Sequence, residues 1–201
     1  MERLDQQLRF VTEIDRLKGV LRQTMLTEPS RRENSAEHSW HVAVMALALA
    51  DQAPPGTDIG RVVAMLLVHD LVEIDAGDLF LYADEAQQAR QEEAERAAAD
   101  RIFGLLPPDQ AAAFRVLWDE FEERRTPEAR FARGLDRLQP MLENLNVGGG
   151  TWQEYGVTAD QVLVKVRLIE DGSPDLGRYA RDLVARAVQD GILPPAAPQG
   201  A

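Results

Sequence analysis

Residues 61–74 read RVVAMLLVHDLVEI, a run that is apolar on almost every side and carries His69-Asp70 within it. A helix that is apolar all round is a buried one, so this segment predicts the central helix of the fold. Working outward, Asn34 followed three residues later by Glu37 forms a capping box that opens a helix to about Asp51. The loop QAPPGTD then leads to a helix restart near Asp58. Towards the N-terminus, Leu4, Leu8, Val11, Ile14, Leu17 and Leu21 recur every three or four positions, which predicts an amphipathic helix over 4–21. Beyond the centre, helices are predicted over about 84–105, 108–125, 126–145, 159–170 and 174–189, with Pro108 and Pro127 near helix starts, where a missing N–H costs nothing. Gly148-Gly149-Gly150 reads as a loop; with no Gly-Lys-Ser/Thr after it, it is not a phosphate-binding P-loop. No strand pattern emerges. The chain reads as an all-α bundle of about eight helices, one domain over 1–193 followed by a disordered Pro/Ala tail over 194–201.

A chain of 201 residues with 45% hydrophobic and 28% charged residues has the size and composition of one ordinary globular domain. Its 34 acidic against 22 basic residues give a net charge of -12, which repels a polyanion, so nucleic acid polymers are not expected partners. The longest uncharged apolar stretches, 42–50 and 62–68, are far too short to span a bilayer, and no membrane association is expected. The first ten residues, MERLDQQLRF, lack the apolar region of a secretory signal. With no cysteine, disulfides, Fe–S clusters and thiolate zinc sites are excluded. A cytoplasmic location is the simplest reading.

The chemistry concentrates in three histidines, His38, His41 and His69. His69 is followed by Asp70 inside the most apolar helix, where an ionised carboxylate costs several kcal/mol unless something positive sits beside it. Adjacent helical residues diverge by about 100°, so a cation held by both needs other helices to complete its shell. His38, one turn into the capped helix, and Asp136, between Leu135 and Leu138, are the candidates. Two imidazoles and two carboxylates form a mixed N/O shell that suits Mn, Fe, Co, Ni or Zn and leaves room for water. His41, one turn after His38, is expected to pack or support rather than ligate. Pro140, four residues after Asp136, cannot donate to the Asp136 carbonyl, which predicts a helix kink at the ligand. Trp152 is expected to anchor the glycine loop to the core, with stacking on a base as the alternative.

The ordered set His38, His69-Asp70 and Asp136 resembles the H…HD…D signature of the HD-domain metal-dependent phosphohydrolases, a helical superfamily. The strings RRENSAEHSWHVAVMALALA, MLLVHDLVEIDAGD and GLDRLQPMLENL are similar to the branch that contains the bacterial 5'-deoxynucleotidases. The resemblance covers roughly residues 4–193 and implies an HD-domain helical bundle with one divalent transition-metal ion held by His38, His69, Asp70 and Asp136. It also implies that Glu73, on the same helix face as Asp70, orients or deprotonates the attacking water, and that Asp78 lines the pocket near that water and the substrate. Arg22, in LKGVLR, takes the place of the family's phosphate-binding Arg. The residues after it, Gln23-Thr24-Met25, lack the Trp of those enzymes, so the resemblance implies phosphate hydrolysis without fixing the sugar. The implied substrate is a (deoxy)nucleoside 5'-monophosphate and the implied assembly a homodimer. Another phosphate ester, a nucleotide di- or triphosphate or an alarmone is the alternative within enzymes, and a metal-stabilised binding module without turnover is the alternative outside them.

Overall fold

In the computed structural model, which describes residues 1–196, a β-hairpin separates the first two of ten α-helical segments. The helices are α1 (Glu2–Ile14), α2 (Ser35–Ala48), α3 (Ile59–Val68), α4 (Glu73–Ala76), α5 (Glu85–Phe103), α6 (Pro108–Glu123), α7 (Pro127–Asn146), α8 (Gly150–Glu154), α9 (Ala159–Gly172) and α10 (Pro174–Gln189). The eight with ten residues or more correspond to the eight predicted helices. α8 is a short addition after the triple glycine, and its Trp152 is buried in the core, as expected of an anchor.

Two hydrophobic clusters hold these elements. The larger joins α2, α3, α7, α9 and α10 through residues such as Val42, Met65, Leu135, Ile169 and Val184. The smaller joins α1, α5 and α6 through Phe10, Ile102, Phe103 and Trp118. The central segment crosses from one to the other: Met65 and Leu66 lie in the first, Val68, Leu71 and Val72 in the second. Its polar residues therefore sit at the seam. On the far side α7 lies tightly against α9, where a Cβ added at Gly172 would stand 2.4 Å from the Arg130 carbonyl oxygen.

Two expectations change. The central helix is not continuous: α3 ends at Val68, His69–Val72 form a 3-10 turn, and α4 follows. No Gly or Pro marks this break. At the break His69 Nδ1 donates to the Leu66 carbonyl (2.8 Å), the group that in a continuous α-helix accepts from Asp70 N. Second, the N-terminal helix stops at Ile14, and residues Asp15–Gly19 form a 3-10 turn. Leu21 belongs instead to β1 (Leu21–Met25), which pairs antiparallel with β2 (Arg32–Asn34) through the register Leu21 to Asn34 and Met25 to Arg32. The hairpin escapes a search for apolar alternation because its inward residues, Arg22, Thr24 and Glu33, are polar while Leu21 faces out. α7 keeps its helical assignment across Pro140, which has no N–H to give the Asp136 carbonyl. At the C-terminus the Pro194 carbonyl accepts from Ala159 N (2.9 Å); residues 197–201 of the predicted tail lie outside the described residues.

Candidate metal centre

Four stretches of chain converge at the seam. The capping box holds the start of α2: Asn34 Oδ1 accepts from Glu37 N (3.0 Å) and Glu37 Oε2 accepts from Asn34 N (3.2 Å). This sets His38 in the first helical turn, fully buried. The 3-10 turn brings His69 and Asp70 together although they are neighbours in sequence, with His69 Nε2 2.9 Å from Asp70 Oδ1. α7 supplies Asp136, and β1 supplies Arg22. Gly77, at φ 75° after α4, makes the turn that delivers Asp78.

One ligand atom each from His38, His69 and Asp136 lies within 4.8 Å of the others, and all three residues are buried. His38 Nε2 stands 3.1 Å from Asp136 Oδ1, and His69 Nε2 stands 3.9 Å from the same oxygen. Asp70 borders the trio by different oxygens, Oδ1 toward His69 and Oδ2 3.9 Å from His38 Nε2. The donor chemistry fits a divalent cation. His69 Nδ1 donates to the Leu66 carbonyl, which turns the buried Nε2 toward the cluster, 2.9 Å from Asp70 Oδ1. Two imidazole nitrogens converging on buried carboxylate oxygens, away from water, are a donor set that suits a divalent cation.

The carboxyl groups here divide into two kinds. Burial alone raises each of them, but at Asp70 the charges of His69 and Arg22 outweigh it and hold the pKa at about 2. At Asp136 the adjacent Arg137 and the His38 hydrogen bond likewise hold it far below the usual carboxylate range. Glu73 goes the other way: burial and the Asp70 charge push it well above the usual range, against the pull of Arg22. Asp78 is raised by burial and the Asp70 charge, again against Arg22. Two carboxylates kept charged beside two inclined to carry a proton is the division of labour found where one group binds and another transfers protons. Burial and Arg22 pull His38 down, yet its hydrogen bond to Asp136 and the nearby carboxylates of Glu33 and Asp70 hold it up at about 9.

Arg22 is enclosed by carboxylates. Its Nη1 lies 3.2 Å from Asp70 Oδ2 and 3.6 Å from Asp78 Oδ1, and its Nε lies 3.6 Å from Glu33 Oε2. Glu73 Oε2 accepts from Ser35 Oγ (2.5 Å). His69, Asp70, Glu73, Asp78, Asp136 and Arg22 all line a cavity of about 320 Å³, whose further wall carries Phe80, Tyr82, Arg137 and Lys165. That volume lies at the lower end of small-molecule sites. His41 is outside this wall, its Nδ1 3.9 Å from Glu143 Oε1.

Ser35, Glu33, Gln139 and Arg137 were not read as site residues from the sequence. Ser35 follows the Asn34 cap directly, and Gln139 lies at i+3 from Asp136, so both sat on faces already marked. Arg137 flanks Asp136, with its Nη2 3.7 Å from Asp136 Oδ2.

The family model described as HD domain matches residues 14–176. The 5'-deoxynucleotidase HDDC2 of Danio rerio is 29% identical over 163 residues, 78% of this chain and 80% of its own length. The protein of the same name from Xenopus laevis is 30% identical over 139 residues, 69% of this chain and 67% of its own length. The crystal structure of a predicted metal-dependent phosphohydrolase from Magnetospirillum magnetotacticum MS-1 superposes with a TM-score of 0.92 at 58% identity, covering 96% of this chain and 97% of that one. With an HD-domain match over most of its length, a helical bundle of the same shape and a buried His/Asp cluster at its seam, the chain belongs to the HD-domain metal-dependent phosphohydrolases, in the branch that contains the 5'-deoxynucleotidases.

Proposed function

We propose that the protein hydrolyses (deoxy)nucleoside 5'-monophosphates to nucleoside and phosphate, with His38, His69, Asp70 and Asp136 as ligands of one divalent cation. The observation that carries the reading is the convergence of buried ligand atoms of His38, His69 and Asp136 within 4.8 Å of one another. The likeness to 5'-deoxynucleotidases supports the substrate class. When bound, the cation supplies a Lewis acid that lowers the pKa of a water and neutralises charge on the phosphate.

The chain's own groups do the rest. Glu73 takes the proton of the attacking water on Oε1, because Ser35 already holds Oε2, and the burial and Asp70 charge that raise its pKa favour the proton it gains. Asp78, also inclined to carry a proton, passes one toward the leaving 5'-oxygen. Arg22 orients Asp70 and Asp78 and offers its guanidinium to the phosphate from the cavity wall. Phe80 and Tyr82 give the base an aromatic wall.

The proposal includes a cytoplasmic homodimer. Nucleoside monophosphates are cytoplasmic metabolites, and no helix among the described residues is long and apolar enough to cross a membrane. For the dimer, Trp40, Val44 and Leu47 form an exposed apolar stripe along α2, and Leu4, Leu8 and Val11 form another on α1.

The test is phosphate release from a panel of nucleoside 5'- and 3'-monophosphates by metal-stripped protein with Mn, Co, Ni, Zn or Mg restored. Release from 5'-monophosphates that needs metal and collapses in Glu73→Ala is the expected result. Metal binding with no release across the panel sinks it.

A further inference from the structure

His38 Nδ1 lies 3.0 Å from Gln139 Oε1, and Gln139 Nε2 lies 2.9 Å from Glu33 Oε1. All three residues are buried, with Gln139 and His38 fully enclosed. The direction of this chain of hydrogen bonds follows from its far end. A carboxylate oxygen only accepts, so the amide of Gln139 must turn its NH2 toward Glu33. Its carbonyl oxygen then faces His38, and that oxygen also only accepts. Nδ1 of His38 must therefore carry a hydrogen, whatever occupies Nε2. We propose that Glu33 and Gln139 are positioning residues that fix the tautomer of His38, so that Nε2 is the atom it turns to the metal.

The arrangement complements that of His69, where a backbone carbonyl performs the same task. On α2 the carbonyls are spent in the helix, so the task passes to a side chain, and a side-chain amide can turn around. Glu33 is what stops it from turning. A flipped Gln139 would set its carbonyl oxygen against the Glu33 carboxylate and present NH2 to Nδ1, forcing the hydrogen to Nε2 and removing the lone pair that a metal needs. Glu33, His41 and Glu143 also lie near enough together to hold a cation of their own. The Gln139 Nε2 atom, 3.3 Å from His41 Nδ1 and 2.9 Å from Glu33 Oε1, already joins two of them by hydrogen-bonding contacts, which makes the group the outer end of this network.

The inference rests on His38 being a metal ligand, and the experiment separates the two. Calorimetric titration of metal-stripped protein with Zn or Mn reads affinity without turnover. Gln139→Leu and Glu33→Leu are expected to weaken binding about 10- to 100-fold, while Glu33→Gln, which keeps an acceptor for the Gln139 amide, stays within about three-fold of wild type. Long-range ¹H–¹⁵N imidazole spectra of the wild-type zinc form are expected to show hydrogen on Nδ1 of His38, a readout that needs no variant to fold. Unchanged affinity in folded Gln139→Leu and Glu33→Leu overturns the inference, as does a fall in Glu33→Gln equal to that in Glu33→Leu. Hydrogen on Nε2 in the spectra overturns it too, as does a second metal equivalent in wild type that vanishes in Glu143→Gln. No metal binding by wild type at all is a failure of the metal-centre reading itself.

Discussion

Over residues 59–76 the α-helix stops at Val68 and tightens into a 3-10 turn before resuming, whereas α7 continues for twenty residues from Pro127 to Asn146. Both segments line the site. The first gathers His69, Asp70 and Glu73 within five residues by abandoning the regular helical period, and a single ring-to-carbonyl hydrogen bond marks the change. The second keeps the period and sends Asp136, Gln139 and Glu143 down one buried face, its position fixed by close contact with α9 at Gly172. A dense set of donors is thus made locally, where backbone geometry is unusual, and a single donor is aimed at it by a long helix whose accuracy comes from packing.

The comparison can be broken at either end. Asp136→Ala removes the residue that α7 contributes to the His38, His69 and Asp136 cluster and leaves Arg133 and Arg137 without that carboxylate; metal binding at this cluster and phosphate release are both expected to disappear in titration and assay. Glu73→Gln, in the other segment, is expected to leave metal affinity within a few-fold of wild type and lower kcat by about 10²- to 10⁴-fold. Gly172→Ala tests the packing: the new methyl meets the Arg130 carbonyl, so urea unfolding is expected to show a loss of about 1–3 kcal/mol, with weaker metal binding as α7 shifts.

Smaller effects sharpen the contrast. Glu95 on α5 lines the same cavity but belongs to neither segment, and burial raises its pKa from the ordinary 4.5 to about 7. The folded state therefore binds this proton more tightly than the unfolded one. The stability it contributes is complete below about pH 4.5 and is lost as pH rises through about 7. After allowance for its partial exposure, wild type is expected to lose roughly 1 kcal/mol between those limits through this group, a loss absent from Glu95→Gln in melts across the range. Pro140→Ala comes last. Because α7 keeps its helical assignment there, metal affinity is expected to stay within about three-fold of wild type, and a larger change would show that the proline aims Asp136.

Much of this was legible in the sequence, for reasons that differ by element. The helix starts at Asn34, Pro108 and Pro127 are written in local capping chemistry, which does not depend on the rest of the fold. His38, His69 and Asp136 stand out because polar residues on apolar faces need a reason. The 3-10 turn has no such mark: HDLV carries neither Gly nor Pro, and the hydrogen bond that ends α3 is one a histidine makes only in place. Arg22, Thr24 and Glu33 turn inward from the hairpin, so a reading that seeks apolar residues inside looks past them. Leu4, Leu8 and Val11 fail in the opposite sense, forming an apolar stripe that stays on the surface of α1, where the residue enclosed is Phe10. Gln139 was visible at i+3 from Asp136, yet an amide is no ligand, and its role exists only once Glu33 is beside it.

The hydrogen bond between His38 and Asp136 joins residues 98 positions apart in the chain. A cation gripping both would act on folding as a cross-link does, closing a long loop whose ends otherwise meet only after α2, α3 and α7 have assembled. Such a clasp is made late and must be undone early, so its benefit appears in the rate of unfolding more than in the rate of folding. The lifetime of the folded chain, and its resistance to a protease that waits for it to open, would then be set by how slowly one ion leaves.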